Sequence, residues 1–424
     1  MSNRLLIRNI SQLVTCSGFK AKQGRDMNEL CILEDGAVAV ENGVITHVGT
    51  TPDVLACLDG YYPEINAQGK AVLPGFVDSH THFVFGGYRE DEFSWRLRGD
   101  SYMSIMERGG GIVNTMKATR ESSFGELKER AKERLDELLA MGVTTVEGKS
   151  GYGLDLETEI RQLQVMNELN KEHPIDIVST YLGAHAVPPE YSGQTDAYID
   201  FLIDEGLPAI HPDYNVRFCD VFCEKGVFSI EQSERLLLAA RKQGFDLKLH
   251  ADEIVPLGGA ELAARMHAMS ADHLLHISDE GIRQLAEQQV VATLLPLTAF
   301  SLNEPYARGR EMIDGGCAVA LASDLNPGSC FSASIPMLIA LACIQMRLTP
   351  EEAITALTIN GAAAVGQADR IGSIDVGKQA DMILLHYPSY KFLPYHIGMN
   401  IVETVIKSGK PFQVPRLSDR PYFK

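Results

Sequence analysis

Histidines with the spacing of metal ligands lie in or at the ends of apolar segments. Five of the twelve histidines do so: His80, His82, His185, His250 and His273. His80 and His82 are two residues apart, so on a strand both imidazoles point to the same face. A third nitrogen from His250 and a carboxylate oxygen from Asp324 would complete a site for one zinc or iron ion, with a position left for water. An H-x-H pair alone is weak evidence, because two buried structural histidines are the usual alternative.

The segments that must position these side chains are of two alternating kinds. Short apolar, β-branched runs are typical of buried strands, and eight occur, at 75–82, 143–149, 177–185, 218–224, 247–253, 271–276, 290–296 and 318–324. Amphipathic stretches lie between them, such as 124–141, which Ser122 or Ser123 could cap. This alternation predicts an α/β fold, a (β/α)8 TIM-like barrel with reactive side chains at the carboxyl ends of its strands. A doubly wound open sheet is the alternative, but no G-x-G-x-x-G motif follows a first strand.

The two ends of the chain have β character. Two short strands at 37–40 and 44–48 flank an Asn-Gly turn, and similar apolar runs occur at 380–385 and 401–407. Neither end is long enough to bury a good core alone. We therefore predict one small β-sandwich domain formed by residues 1–72 plus 366–424, with the barrel inserted at 73–365.

Composition excludes several classes of protein. The 424 residues are 45% hydrophobic and 22% charged, which is typical of a globular protein, and 38 basic against 56 acidic side chains give a net charge of −18. This acidity argues against binding to nucleic acid or to an anionic membrane surface. There is no signal-peptide pattern at the start and no apolar stretch of about 18 residues. With eight scattered cysteines, expected as reduced thiols, the sequence favours a cytoplasmic protein.

Two segments resemble the signatures of the amidohydrolase superfamily. They are Leu73-Pro74-Gly75-Phe76-Val77-Asp78-Ser79-His80-Thr81-His82 and the Gly-Lys-x-Ala-Asp run at 377–381. Within it, the segments 80–89, 148–154, 182–185, 250–253 and 324–329 resemble the imidazolonepropionase family, which opens the ring of 4-imidazolone-5-propanoate in histidine degradation. The resemblance covers nearly the whole chain. It implies metal ligands at His80, His82, His250 and Asp324, a small anionic substrate and a homodimer.

The resemblance also implies catalytic roles. A hydroxide made from metal-bound water would attack the ring carbonyl, and Asp324 could accept the proton. Glu253 would shuttle a proton and hydrogen-bond a ring nitrogen; a solvated loop carboxylate is the alternative. His273 would stabilise the developing oxyanion, unless it binds a second metal ion. A second ion would need a bridging residue such as Glu224 or Lys225, and both fall past their apolar run, which favours one metal.

Further residues are implied to bind the substrate: Arg89, Tyr152, His185, Glu253, Asn326, Gly328 and Ser329. A guanidinium suits a carboxylate, so Arg89 would bind the propionate group, although its three acidic neighbours also fit a surface ion-pair cluster. Tyr152 could donate a phenolic hydrogen bond or simply pack in the core, and His185 could bind the ring carbonyl oxygen or the backbone. The segment from Asn326 could contact the substrate or be a plain turn.

Two other functions fit the same residues. A cytosine- or guanine-type deaminase shares the H-x-H pair, the later histidines and the aspartate, but deamination needs no carboxylate-binding residue such as Arg89. A non-catalytic scaffold on the same fold is the other possibility, and such proteins tend to have lost metal ligands, whereas this chain keeps all four. The sequence therefore favours the ring-opening hydrolase.

Overall fold

Eight parallel strands form the barrel in the computed structural model, which describes residues 4–100, 110–210 and 212–415. Each strand pairs with its sequence neighbour in one continuous order. The strands are Phe76–Thr81, Val143–Lys149, Asp176–Ala184, Val216–Cys223, Asp246–Ala251, Ser270–His273, Val291–Leu294 and Val319–Leu321. Each of the eight predicted runs overlaps one of these strands, so the predicted (β/α)8 barrel is confirmed.

The first and eighth barrel strands meet and close the barrel. The Asp324 amide donates to the His80 carbonyl over 3.0 Å, and the His82 amide donates to the Leu325 carbonyl over 2.9 Å. Below this point, the buried carboxylate of Asp78 accepts hydrogen bonds from the Ser323 amide and hydroxyl over 2.9 and 2.6 Å. Closure therefore brings the H-x-H pair and Asp324 to the same end of the barrel.

Helices surround the barrel strands, except Thr51–Cys57, which packs on the sheet formed by the chain ends. They are Thr51–Cys57, Glu90–Leu97, Ile112–Glu121, Phe124–Ala140, Leu156–Glu172, Thr195–Phe201, Leu207–Ala209, Ile230–Lys242, Gly259–Arg265, Asp279–Gln288, Pro296–Leu302, Gly309–Asp314, Ile335–Ile344, Pro350–Leu357, Ile359–Ala364 and Phe392–Tyr395; 3-10 turns lie at Gly24–Asn28, Pro189–Tyr191 and Pro212–Tyr214, and a π-helical turn at Leu202–Gly206. The predicted cap is Ser123, whose hydroxyl accepts from the Glu126 amide while the Glu126 carboxylate accepts from the Ser123 amide. Ser122 instead donates its hydroxyl to the Ala118 carbonyl.

The two ends of the chain meet in one sheet. Its order is Lys410–Gln413, Val402–Lys407, Met382–Leu385, Val72–Pro74, Arg4–Val14, Ile32–Glu41 and Val44–Thr50, with Glu64–Asn66 also paired to Arg4–Val14. At the predicted hairpin, Asn42 and Gly43 have φ of 52° and 82°, as a tight turn between paired strands requires. The sequence predicts a sandwich; the eight strands form one sheet, because Val72–Pro74 pairs with Arg4–Val14 on one side and with Met382–Leu385 on the other. The exact domain limits stay a prediction.

Both faces of this sheet are buried at Met382–Leu385, which explains why all four residues of this strand are apolar. Ile383 and Leu385 pack in the large core shared with the barrel, whereas Met382 and Leu384 pack in a separate cluster on the other face. All eight cysteines are free thiols, as the sequence predicts. Within the described ranges, no helix combines the length and apolar character needed to cross a membrane.

Candidate metal centre and active site

The predicted metal ligands lie together at the carboxyl end of the barrel. His80 is in the first barrel strand and His82 follows it, while Asp324 follows the eighth. The carboxylate oxygen Asp324 Oδ1 lies 3.5 Å from His80 Nε2 and 3.7 Å from His82 Nε2. His250, near the end of the fifth strand, has its ring centroid 4.6 Å from that of His80. Three nitrogens and one oxygen thus converge from the first, fifth and eighth strands, because the closed barrel brings the carboxyl ends of these strands around one point.

Two more histidines border this centre. His80, His250 and His273 have ligand atoms within 4.8 Å of one another, and so do His82, His185 and His250. The rings of His82 and His185 are stacked, with centroids 5.0 Å apart. All five predicted histidines therefore belong to one cluster.

The donor atoms of this cluster fit a bound cation. The buried Nε2 atoms of His80 and His250 have no hydrogen-bond partner, and His82 Nε2 faces the same Asp324 oxygen; unpartnered buried polar atoms are costly. Burial, reinforced by neighbouring positive groups, holds the pKa of each of these histidines well below its ordinary value. Neutral imidazoles are the form that binds metal, and three nitrogens with one carboxylate suit a divalent ion.

Side chains from other strands orient the ligands. His80 Nδ1 lies 2.6 Å from Asp272 Oδ2, and His250 Nδ1 lies 3.0 Å from Asp220 Oδ2, which leaves the Nε2 atoms for a metal ion. The Thr298 hydroxyl donates to Asp324 Oδ2 over 2.7 Å, so Oδ1 is the oxygen that faces the histidines. None of these three partners was predicted from the sequence. A charged residue inside an apolar strand run, such as Asp220 or Asp272, is the signal that could have found them.

The residues considered for a second metal ion are engaged elsewhere. One Glu224 carboxylate oxygen accepts from the Lys225 amide and the other from the Ile254 amide, each over 2.8 Å. Lys225 is exposed, and neither residue belongs to a candidate metal cluster of the described residues. Glu224 therefore supports the loop after the fifth strand.

Glu253 and His273 are neighbours at the rim of the centre. Glu253 Oε1 lies 3.5 Å from His273 Nδ1. Burial, together with the charges of Asp324 and Glu224, raises the pKa of Glu253 to about 8, whereas burial lowers the pKa of His273 to about 3. Near neutral pH the pair thus consists of a carboxyl group able to hold a proton and a neutral imidazole. His273 has φ of 77°, a left-handed conformation that is uncommon for a non-glycine residue and clusters at functional sites.

Arg89 lies between an acidic partner and the loop after the eighth strand. Its Nε and Nη2 atoms are 2.8 and 2.7 Å from Glu92 Oε2, so one of its three acidic neighbours does form an ion pair with it. A Cβ atom added at Gly328 would lie 2.1 Å from Arg89 Nη1. The Nη1 side of the guanidinium therefore packs directly on Gly328.

The loop itself is held by Asn326. Asn326 Oδ1 accepts from the Gly328 and Ser329 amides, while Nδ2 donates to the Asp324 carbonyl and the Ser329 hydroxyl, all over 2.8 Å. Asn326 shapes the loop through these contacts, which combines the predicted turn with the predicted position beside the metal centre.

Tyr152 and His185 lie next to His82 in the histidine cluster. The Tyr152 ring is 5.6 Å from the ring of His82 and 5.3 Å from that of His185. Burial and the charge of Asp324 raise the pKa of Tyr152, so it stays a neutral hydrogen-bonding group. His185 Nδ1 is 3.0 Å from the Gly151 carbonyl, the backbone contact considered as the alternative to its role in binding.

Gly328→Ala is expected to raise KM, because the new methyl group displaces the Arg89 guanidinium. The collision is with the flexible end of a side chain, so the fold should persist with an unchanged melting temperature. Steady-state kinetics would measure the effect. Gly125→Ala is the matched control, since nothing lies within 4 Å of a Cβ atom at that helical position. An unchanged KM for Gly328→Ala would show that the contact between Arg89 and Gly328 does not contribute to substrate binding.

Comparisons with known proteins agree with this architecture. A family model described as the amidohydrolase family matches residues 108–413. A protein from Parabacteroides distasonis named imidazolonepropionase is 72% identical over 414 residues, which cover 97% of this chain and all of that one. A protein of the same name from Clostridium tetani is 60% identical, covering 96% of this chain and 97% of its own length.

Solved structures share the fold at low sequence identity. A zinc-bound adenosine deaminase from Xanthomonas campestris is 19% identical with a TM-score of 0.68, covering 97% of this chain and 93% of its own. E. coli guanine deaminase is 14% identical with a TM-score of 0.70, covering 97% and 99%. At such identities these likenesses establish the fold alone.

Proposed function

The chain belongs to the amidohydrolase family and, within it, to the imidazolonepropionases; from this we propose how its residues open the ring of 4-imidazolone-5-propanoate to give N-formimidoyl-L-glutamate. The enzyme is a metal-dependent hydrolase of histidine degradation. The observation that carries the proposal is the meeting of four ligand atoms with the Glu253–His273 pair at one end of the barrel. Arg89 lies beside the loop that follows Asp324.

Substrate binding is assigned to the rim of the barrel. Arg89 has five N–H donors and uses only part of them on Glu92, so its remaining donors bind the propionate carboxylate. Ser329 lies in the same loop, where its hydroxyl faces Asn326. Tyr152 and His185, which lie next to His82, hold the imidazolone ring. These contacts place the ring carbonyl over the metal centre.

Proton movement is assigned to three residues. His80, His82, His250 and Asp324 would hold a divalent ion, which would supply Lewis acidity and a water of lowered pKa. Asp324 accepts the proton of the attacking water, and the neutral His273 donates a hydrogen bond to the carbonyl oxygen as negative charge develops on it. Glu253 carries a proton to the ring nitrogen that leaves as the C–N bond breaks.

The test of this function is incubation of the metal-loaded protein with 4-imidazolone-5-propanoate. We expect N-formimidoyl-L-glutamate to form with no release of ammonia, followed by NMR and an ammonia assay. Ammonia released from an intact ring would favour the deaminase. A folded protein that binds no metal and leaves the substrate unchanged would favour the non-catalytic scaffold.

Arg89→Ala is expected to raise KM far more than it lowers kcat, since the residue holds a part of the substrate away from the reacting atoms. Removing one charged partner of a carboxylate costs about 2–5 kcal/mol of binding, the upper end being reached in buried sites. Michaelis kinetics would measure the split. Arg98→Ala, at an exposed position nine residues along, is the control. An unchanged KM would mean that the carboxylate binds elsewhere.

Three properties complete the proposal. We propose one ion per subunit, zinc or iron, because Glu224 and Lys225 offer no bridging ligand; elemental analysis measures both identity and number. A homodimer follows from the family and is tested by sedimentation equilibrium. We propose a cytoplasmic location from the eight free cysteines, and cell fractionation tests it.

A further inference from the structure

Five ionisable side chains form a buried charge layer beneath the metal centre. They are Glu147, Lys149, Asp220, Lys248 and Asp272, from the second, fourth, fifth and sixth barrel strands, and none has any exposed surface. Their formal charges sum to −1. Burying unpaired charges costs folding free energy, so each of these charges needs a partner within the barrel.

Every charge in the layer has a partner. Lys149 Nζ lies 2.9 Å from Glu147 Oε1, 2.7 Å from Asp220 Oδ2 and 3.4 Å from Asp272 Oδ2. Lys248 Nζ lies 2.5 Å from Glu147 Oε2 and 3.1 Å from the Ser79 carbonyl. The two lysines thus share Glu147 and differ in their other contacts.

Lys149 touches the same oxygens that face the metal ligands. Asp220 Oδ2 lies 3.0 Å from His250 Nδ1, and Asp272 Oδ2 lies 2.6 Å from His80 Nδ1. One ammonium group therefore links the carboxylates behind two histidines that come from different strands. Lys248 is 3.9 Å from Asp272, beyond hydrogen-bond distance.

We propose that Lys149 is a positioning residue of the metal centre, which sets the orientation of His80 and His250 by holding Asp272 and Asp220. The proposal rests on the metal site of the proposed function and adds a residue that touches neither metal nor substrate. A charge-assisted hydrogen bond to Asp220 and an ion pair with Asp272 come from the same ammonium group, and carboxylates held in this way fix the imidazole planes. The affinity for the metal ion therefore depends on Lys149, which contacts the ligands only through Asp220 and Asp272.

The experiment measures Zn²⁺ affinity of metal-depleted protein by competition with a chromophoric chelator. Lys149→Met is expected to weaken binding by roughly 10–100-fold, the usual effect of losing a partner of a metal ligand. Lys248→Met is the matched control, because it removes an equally buried ammonium group from the same Glu147 but leaves Asp220 untouched. Its Zn²⁺ affinity should stay close to that of wild type. Equal losses in both variants, or no loss in Lys149→Met, would overturn the proposal.

A second variant covers the case in which Lys149→Met does not fold. Asp220→Asn keeps the shape of the side chain and breaks the ion pair from its other partner, and it should also weaken Zn²⁺ binding. Unchanged affinity in a folded Asp220→Asn protein contradicts the proposal. Failure of wild type itself to bind Zn²⁺ would instead count against the proposed function, so the two results are distinguishable.

Discussion

Glu253→Gln is expected to slow turnover by roughly 10²–10⁴-fold, the usual contribution of a general acid or base, while the metal ion stays bound. The carboxyl group lies 3.5 Å from His273, and the amide that replaces it keeps the shape but cannot transfer the proton. Measurement of kcat together with metal content separates the two effects. Glu304→Gln, at an exposed position, is the control. Full activity in the Glu253 variant would remove the residue from the mechanism.

The pH dependence gives a second measurement on the same variant. Burial raises the pKa of Glu253 to about 8 from an ordinary 4.5, so its proton is retained to higher pH than that of an exposed carboxyl group. A bound cation acts in the opposite direction and lowers this pKa. We expect the plot of wild-type kcat/KM against pH to contain an inflection caused by the titration of Glu253. The Glu253→Gln variant should lack this inflection. An inflection that persists in the variant would come from another titratable group.

Asp324→Asn is expected to lower both metal content and kcat. Its Oδ1 atom faces His80 Nε2 and His82 Nε2, and a neutral amide oxygen binds a divalent ion less strongly than a carboxylate. The loss of metal affinity and activity should exceed the roughly 10–100-fold loss that follows removal of a residue bonded to a metal ligand. The reason is that a ligand and a proton acceptor are lost together. Elemental analysis and steady-state kinetics would measure it.

The fold should survive this change. The Thr298 hydroxyl can still donate to an amide oxygen at position 324, so the local contact has a substitute. Asp204→Asn, on an exposed surface, controls for the loss of a negative charge. A variant that keeps full metal content and full kcat would show that Asp324 is not a ligand.

Much of the candidate site was predictable because its signals are local. The separation of His80 and His82 by two residues places both on one face of a strand, and the apolar runs that end in polar residues mark where barrel strands stop. The Asn-Gly turn and the Ser123 cap are also local, since each depends on hydrogen bonds within a few residues. These features needed no knowledge of distant contacts.

By itself the sequence determined the family, the barrel and the side chains that meet at its mouth. Only the tertiary structure decided which partners hold them. His80 and Asp272 are 192 positions apart, and Lys149 and Asp220 are 71 apart, so their pairing arises only when the closed barrel brings their strands together. The contact between Arg89 and Gly328 likewise joins loops from the first and last strands. Spacing along a chain records local geometry, whereas orientation of a buried ligand depends on charges that folding alone brings together.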